Sequence, residues 1–326
     1  MKTYAILSVV YFCVAVAVVL LTRDNGLLAL YSAWQKASNI VEAFWVAVGF
    51  LICGGIVLRV VSKTDTHWTF VKTVLVAFGG TIFLQAGFTL MKTSLPFIAP
   101  FYADVALAEW DKALHGGVDP YVIVHALAEQ LPMDLLIPFY LHVWVWPAIC
   151  LPILIAAFDR DKDRVARTLI LYGAAWVLIG NVMALAGMSA GPVFYDRIYE
   201  TDRFAELTAA IAQTPQIRDY FGPIQDFLWS AYTTQDQSIG FGISAFPSVH
   251  LSMAMVTAVY LWDRSRLLGL IGVGFVAVIL FLSVYSGYHY ALDGYVSIAV
   301  IGGLWVFLRR RAAAPRQIMD QAAQLA

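Results

Sequence analysis

The stretch ISAFPSVHLSMAM, Ile243–Met255, places polar side chains at the start of an apolar run. Pro247 precedes Ser248, and His250 follows two residues later. Proline is common in the first turn of a helix, and serine is a common N-cap. The pattern therefore predicts a membrane helix that begins near Ser248. Its polar residues either cap the helix or form one half of an active site.

The composition of the whole chain is that of a membrane protein. Hydrophobic residues make up 60% of the 326 residues and charged residues 13%. A soluble domain is nearer about one half apolar and about one quarter charged. We therefore predict an all-α, polytopic integral membrane protein. The net charge of −1 excludes a protein that binds nucleic acid through bulk electrostatics.

Eight stretches approach the length of about 20 apolar residues that a membrane helix needs. They are Tyr4–Leu21, Ile40–Val61, Thr69–Leu90, Met133–Ala157, Thr168–Met188, Phe246–Trp262, Leu267–Tyr285 and Tyr290–Leu308. We expect one integral membrane domain over 1–326. Within it, residues 1–66 hold two transmembrane helices, 67–308 a six-helix catalytic core, and 309–326 a basic cytoplasmic tail.

Lysine and arginine predict the orientation. If the N-terminus is cytoplasmic, most of the 21 Lys and Arg residues fall on the cytoplasmic side, mainly in short segments. This bias is typical of inner loops. It predicts that both termini are cytoplasmic and that Ser248 and His250 face the extracytoplasmic side, which is periplasmic or luminal.

A second helix signal lies in the long outer loop after the third predicted span. In the stretch ADVALAEWDKALHGGVDP, Val105, Trp110 and Leu114 recur near helical spacing, opposite Asp104 and Asp111. A helix of this kind suits the head-group layer of a membrane, and an ordinary connecting helix fits the pattern as well. The two glycines that follow predict its end.

The stretch LSVYSGYHYALDGY, 282–295, contains the partner of the opening motif. Ser286 and the glycine after it can end the seventh predicted span. His289 and Asp293 are four residues apart and share one helix face. Asp293 can accept a hydrogen bond from one imidazole nitrogen, which leaves the other nitrogen as a nucleophile or base. The topology places both histidines on the same side of the membrane, where they can face each other across a cleft.

The remaining histidines are expected to be structural, because a lone histidine in or beside a span is more often a core or interfacial residue. These are His67, His115, His125 and His142. No sequence pattern of metal ligands is apparent, so we expect neither a metal nor another cofactor.

The two motifs together resemble a known family. AFPSVH, 245–250, and YSGYHYALDG, 285–294, are similar to the second and third signature motifs of the phosphatidic acid phosphatase type 2 superfamily, within 190–305. The resemblance implies a membrane-embedded helical core and histidine-based phosphoryl transfer. Such transfer needs an in-line nucleophile, a proton donor opposite it, and donors around the equatorial oxygens.

The resemblance assigns a role to each matching residue. His289 resembles the nucleophile that forms a phosphohistidine, and Asp293 the carboxylate that orients it. His250 resembles the general acid that protonates the leaving oxygen, and Ser248 a phosphate ligand. Backbone N–H groups at the helix start would add to the phosphate cradle.

The sequence also departs from the phosphatase pattern. We find no segment that reproduces the first motif, Lys-x6-Arg-Pro. In the third motif, the arginine slot six residues before His289 holds Ser283. A phosphomonoester carries close to two negative charges near neutral pH, whereas a phosphodiester carries one. The missing cations therefore favour a diester substrate.

AFPSVH is similar as well to the inositolphosphorylceramide synthase-like branch of phosphotransferases. In that comparison GPVFYDR, 191–197, resembles an upstream segment, and Tyr195 and Arg197 restore part of the phosphate clamp, with Ser286 as a further ligand. Arg197 anchoring to lipid head groups is an equally open interpretation. This resemblance implies a metal-independent enzyme that moves a phosphorylated head group from a phospholipid donor to a lipid or polyol alcohol acceptor, for example a sphingolipid.

Two alternatives stay open at the level of sequence. One is a phosphatase acting on a lipid phosphate or a polyprenyl pyrophosphate, since transfer and hydrolysis differ in how the cleft excludes water. The other is a non-catalytic membrane transporter or scaffold. A transporter should show broken helices in two similar halves, and we find no such halves.

Overall fold

The computed structural model describes residues 1–61, 67–234 and 242–324, and these residues form helices without any strand. The prediction of an all-α protein is confirmed for them. The helices are α1 Lys2–Thr22, α2 Gly26–Val61, α3 His67–Ile98, α4 Asp104–Leu114, α5 Pro120–Ala128, α6 Met133–Pro138, α7 Val145–Phe158, α8 Lys162–Gly173, α9 Ala184–Ala186, α10 Pro192–Tyr199, α11 Ala205–Gln213, α12 Pro215–Tyr220, α13 Gly222–Thr233, α14 Val249–Arg264, α15 Arg266–Tyr285 and α16 Ala291–Gln324. Two π-helical segments, π1 Phe139–Val143 and π2 Ala174–Met183, are inserted between them.

Five helices of the described chain are long and apolar enough to cross a membrane. They are Lys2–Thr22, His67–Ile98, Lys162–Ala186, Arg266–Tyr285 and Ala291–Ala312. A sixth is formed if α5 and the segment Met133–Val143, which meet at a bend of 115°, count as one broken span. The chain is thus a helical, integral membrane protein. The number of eight spans and the orientation stay predictions.

Helix α14 lies at the centre of the bundle, and its length is only 16 residues. It packs against α15 and α16 along its length and also contacts π2 and α7. Its side chains Leu251, Met253 and Val256 are fully buried. The helix that carries Ser248 and His250 is therefore supported by neighbours on several sides, which fixes its first turn in space.

Helix α1 packs along α3 and is tied to it by a polar contact. The Tyr4 hydroxyl lies 3.0 Å from the Thr81 Oγ1 atom, and both residues are buried. Further along, the Tyr11 hydroxyl donates a hydrogen bond to Asn181 in π2. The first transmembrane helix is thus joined directly to the helices that follow it.

Helix α4 exposes its apolar face and buries its acidic one. Val105, Trp110 and Leu114 are exposed, whereas Asp104 and Asp111 are almost completely buried. The helix ends just before two glycines with positive φ, as the sequence predicts. Its location in the head-group layer stays a prediction, but the side chains of Asp104 and Asp111 point into the protein interior.

Candidate active site

Ser248 both caps α14 and contacts the histidine of the YSGYHYALDG motif. Its backbone is extended, and its Oγ atom accepts a hydrogen bond from the Leu251 N–H at 3.4 Å. The same Oγ lies 3.1 Å from Nε2 of His289. The serine at the mouth of the helix therefore has a capping role and a contact with a site histidine at the same time.

His289 and Asp293 form a buried pair. Nδ1 of His289 lies 3.1 Å from Oδ2 of Asp293, and this oxygen also accepts the Tyr290 N–H at 3.1 Å. The carboxylate is the acceptor, so Nδ1 carries the proton and Nε2 is left with its lone pair. The spacing of four residues thus produces an oriented imidazole.

The starts of α14 and α16 are joined by their backbones. The Ser248 N–H donates to the Asp293 carbonyl oxygen at 3.3 Å. The Ser297 hydroxyl lies 2.8 Å from the Ser248 carbonyl oxygen and 2.9 Å from that of Asp293. These contacts hold the two motifs, which are about 40 residues apart in sequence, in one fixed arrangement.

His250 lies between two aromatic rings and faces His289. Its ring centroid is 4.4 Å from that of Tyr140 and 4.1 Å from that of Trp144. The His289 ring lies 6.1 Å away at a steep angle of 64°. The two imidazoles are therefore close neighbours in the structure.

A cavity of about 290 Å³ opens beside the two histidines. Its wall includes His250, His289, Lys92 and Ser244, together with apolar side chains from α10 and α13. Lys92 belongs to α3 and forms no ion pair within the described ranges. The cavity thus brings one uncompensated cation to the two imidazoles.

Sequence reasoning missed Lys92, although a signal was present. The segment Lys92-x6-Ala99-Pro100 keeps the lysine and the proline of the first signature motif and replaces its arginine by alanine. The segment does not reproduce that motif, because the arginine is absent, but its lysine lies on the cavity wall. An isolated lysine near the end of an apolar span is easily taken for one that reaches toward the interface.

Asp111 supports the histidine loop from α4. Its two carboxylate oxygens accept the N–H groups of Ala291 and Leu292, each at 3.0 Å. These are the first backbone donors of α16, directly after His289 and Tyr290. Burial raises the pKa of the Asp111 carboxyl above its usual range, although the two N–H bonds act in the opposite direction.

Asp104 supports the same loop through a different set of donors. It accepts the N–H groups of Ala190 and Gly191 at 2.8 and 2.9 Å, and the hydroxyl of Tyr290 at 3.0 Å. Its side chain is fully buried, and burial raises the pKa of its carboxyl. Helix α4 therefore acts as a brace for the segment that carries His289.

The other predicted phosphate ligands lie away from the cavity wall. Tyr195 packs against Tyr199 and Phe204, and the Ser286 hydroxyl donates to the Ser283 carbonyl oxygen. Arg197 lies 3.9 Å from Asp226 and over the ring of Trp229. The structure does not bring these three side chains together with the histidines, and their phosphate-binding roles stay predictions.

Two of the histidines expected to be structural make backbone contacts. His115 bonds through Nδ1 to the Asp111 carbonyl oxygen at 2.7 Å, and His125 bonds to that of Tyr285 at 2.9 Å. Within the described residues no group of three or more His, Cys, Asp or Glu side chains is placed to hold a metal ion.

Comparison with known proteins identifies the family of this chain. No curated protein and no solved structure gave a match. A family model described as PAP2 superfamily matches residues 105–307, which include both histidine motifs but not Lys92. Members of this superfamily are generally phosphoesterase enzymes. Because the match covers more than half of the chain, the protein belongs to the PAP2 superfamily of lipid phosphatases and phosphotransferases.

Proposed function

We propose that this protein is a lipid phosphotransferase of the inositolphosphorylceramide synthase-like branch. It moves a phosphorylated head group from a phospholipid donor to an alcohol acceptor through a phosphohistidine on His289. One observation carries the proposal: His289 is oriented by Asp293 and borders the same cavity as His250 and Lys92. That arrangement supplies a nucleophile, a proton carrier and a cation at one place.

Ser248 is the alternative candidate for the nucleophile. Ser248, His289 and Asp293 are connected in the same order as a Ser-His-Asp triad. Ser248, however, is fully buried and does not border the cavity, whereas His289 does. We therefore assign the attack to Nε2 of His289. The bound phosphate displaces the Ser248 hydroxyl from that nitrogen, and the hydroxyl then donates to a phosphate oxygen.

The first step forms the bond between Nε2 of His289 and phosphorus and breaks the bond from phosphorus to the leaving alcohol. His250 gives its proton to the departing oxygen, so the alcohol leaves as a neutral molecule. Nδ1 of His289 keeps its proton toward Asp293, whose negative charge stabilises the phosphorylated, cationic imidazole.

The second step reverses these roles. The acceptor alcohol attacks phosphorus, His250 takes the proton of its hydroxyl, and the Nε2–phosphorus bond breaks. His289 returns to its neutral form. If water takes the place of the alcohol, the same site hydrolyses the diester and releases the phosphorylated head group. With a lipid phosphomonoester as donor, the same two steps with water release inorganic phosphate, which is the reaction of a phosphatase.

Lys92 supplies the positive charge for the phosphate in this proposal. A phosphodiester carries a single negative charge, which one lysine matches. Arg197 would have to leave Asp226 to reach the cavity, so we assign the cationic role to Lys92. Because Lys92 restores one cation of the phosphatase pattern, a hydrolase acting on a lipid phosphate is the second candidate.

Product analysis tests the proposal. The purified protein in detergent micelles is given labelled phospholipid donors, with and without alcohol acceptors, and all products are followed by mass spectrometry. Transfer predicts a new phosphodiester that appears only with the acceptor. Release of the free phosphorylated head group alone, or of inorganic phosphate from a lipid phosphate given as donor, would assign the enzyme to the hydrolases, and unchanged ligand binding or transport in a His289→Ala variant would favour the non-catalytic alternative.

A trapping experiment identifies the nucleophile. A donor labelled at phosphorus is mixed with the enzyme and quenched within milliseconds in alkali or in acid. A phosphohistidine survives alkali and is lost in acid, whereas a phosphoserine behaves in the opposite way. Label that persists in acid and disappears in Ser248→Ala would overturn the assignment to His289.

A further inference from the structure

The π-helical segment π1 brings two aromatic residues to His250. Tyr140 lies within π1, and Trp144 follows its last residue. Single π-helical turns inside longer helices are frequent at functional sites. Here the turn joins α6 to α7, and the two aromatic side chains, four residues apart, project onto the same neighbour in α14.

The two rings enclose the imidazole of His250. The Tyr140 ring is nearly parallel to it, at an interplanar angle of 10°, and the Trp144 ring is tilted by 31°. Both centroid distances are under 4.5 Å. Two aromatic rings therefore pack against the imidazole, which also borders the cavity.

A hydrogen bond fixes this enclosure to the backbone. The Trp144 Nε1–H donates to the His250 carbonyl oxygen at 2.9 Å. Among the described residues, no side chain forms a hydrogen bond with the ring nitrogens of His250. The aromatic contacts are therefore what sets the plane of this ring in the resting enzyme.

We propose that Tyr140 and Trp144 are positioning residues that hold His250 in the orientation required for proton transfer to the leaving oxygen. The inference rests on the function proposed above. Two charged or ionisable neighbours face His250 from other elements: Lys92 from α3 and His289 from the loop before α16. Lys92 repels a positive charge on His250, and so does His289 once it is phosphorylated, whereas an aromatic face attracts the protonated imidazole. The aromatic slot therefore suits a group that must hold a proton beside other cations.

The dependence on the leaving group tests this role. A general acid matters for an alkyl alcohol, which leaves poorly without a proton, and matters little for p-nitrophenolate. Loss of the aromatic face in Tyr140→Leu or Trp144→Leu should lower kcat/KM, which reports the first step, about 100-fold for an alkyl phosphodiester lipid. The same variants should lower kcat/KM for a p-nitrophenyl phosphodiester by less than about threefold.

Matched variants separate positioning from folding. Tyr140→Phe keeps the ring that packs against His250 and removes only the hydroxyl, so it should keep activity on both substrates. Trp144→Phe keeps a ring but loses the bond to the His250 carbonyl, and should fall between wild type and Trp144→Leu. Tyr4→Leu removes a buried aromatic ring in α1 and should leave the ratio of the two activities unchanged.

Two results would overturn the inference. One is an equal loss on both substrates in the leucine variants, which indicates a structural role. The other is full activity on the alkyl substrate in a Trp144→Leu variant that is still folded by size-exclusion chromatography. A failure of the proposed function looks different, because His289→Ala would then retain activity on both substrates.

Discussion

The buried carboxylates near the two ends of α14 have different hydrogen-bond donors. At its end, Asp263 accepts hydrogen bonds from the Arg167 guanidinium at 2.6 and 3.0 Å, and nearby Asp159 accepts two from Arg164 at 2.6 and 2.7 Å. At its start, Asp104 and Asp111 accept bonds from backbone N–H groups and hydroxyls. One end neutralises carboxylates with cations, and the other surrounds them with neutral dipoles.

The pKa shifts follow this difference. Burial would raise the pKa of Asp159, but the hydrogen bonds from Arg164 and from the Asp161 N–H outweigh it and hold the pKa below its usual range. For Asp104 burial prevails, and its pKa is raised. At the start of α14, beside the candidate active site, the buried carboxylates Asp104 and Asp111 are therefore stabilised without an arginine. Lys92 is thus left available for an anionic substrate.

Gly191→Ala should destabilise the protein near the start of α14 more than the other substitutions below. Gly191 has φ of 87°, and a Cβ atom there would collide with the Tyr288 carbonyl oxygen. Backbone strain and overlap together should lower the free energy of unfolding by about 3 kcal/mol or more, measured by thermal unfolding in detergent. Gly117→Ala is the control, because it has a similar φ of 86° but open space around it. Its cost should be about 1 kcal/mol, and equal costs would refute the overlap.

Asp111→Asn tests whether a neutral acceptor suffices at the site end. An amide has one carbonyl oxygen, so either the Ala291 or the Leu292 N–H loses its acceptor and meets an NH₂ group. The free energy of unfolding should fall by about 2 kcal/mol, and transfer activity should fall about tenfold as the His289 loop loosens. Asp134→Asn, at an exposed position, should change neither. Full activity in Asp111→Asn would show that α4 is no brace.

Arg164→Gln tests the opposite end. Removing the guanidinium leaves Asp159, whose side chain is fully buried, without its bidentate partner. We expect a loss of about 1.5 kcal/mol in the free energy of unfolding with little change in activity, because the site lies at the other end of α14. The exposed pair of Arg218 and Asp219 gives the control: Arg218→Gln should have no measurable effect on the unfolding temperature. A large loss of activity in Arg164→Gln would contradict the separation of the two ends.

Lowering the pH should remove the contribution of the Asp159–Arg164 pair to the free energy of unfolding, and this effect should be smaller than those of the substitutions above. The folded-state pKa of Asp159 lies below its unfolded value, so its contribution to stability is present above the unfolded pKa and is lost as pH falls through the folded one. Below about pH 4, wild type should therefore lose stability faster than Arg164→Gln. Plotted against pH, the free energies of unfolding of wild type and Arg164→Gln should converge on acidification, and parallel plots would argue against the ion pair.

The sequence predicts the parts of the site that depend on local spacing. The four-residue spacing of His289 and Asp293 gives their pairing, and the serine before an apolar run gives the start of α14. The glycines after α4 give its end. Each of these outcomes depends on a few neighbouring residues, because capping and i,i+4 contacts are set within one helical turn.

Contacts between distant segments could not be read in the same way. The pattern of α4 predicts Asp104 and Asp111 as a polar face opposite the apolar one, yet their partners lie between 86 and 186 residues later. Tyr140 and Trp144 lie in an apolar stretch that predicts a span, and Lys92 lies just after another, without a local pattern that sets them apart. Their roles depend on how α3, α4 and π1 pack around α14, which no local pattern encodes.

The Ser297 hydroxyl has a consequence for how a lipid can reach the histidines. It bridges the first turns of α14 and α16 and makes that side of the site a fixed wall. Residues of α3, π1 and α13 also line the cavity, so any widening for a substrate is expected in that part of the wall. Lys92 belongs to that part, so the cation of the proposed site lies where the wall can move, whereas the two imidazoles lie where it is held.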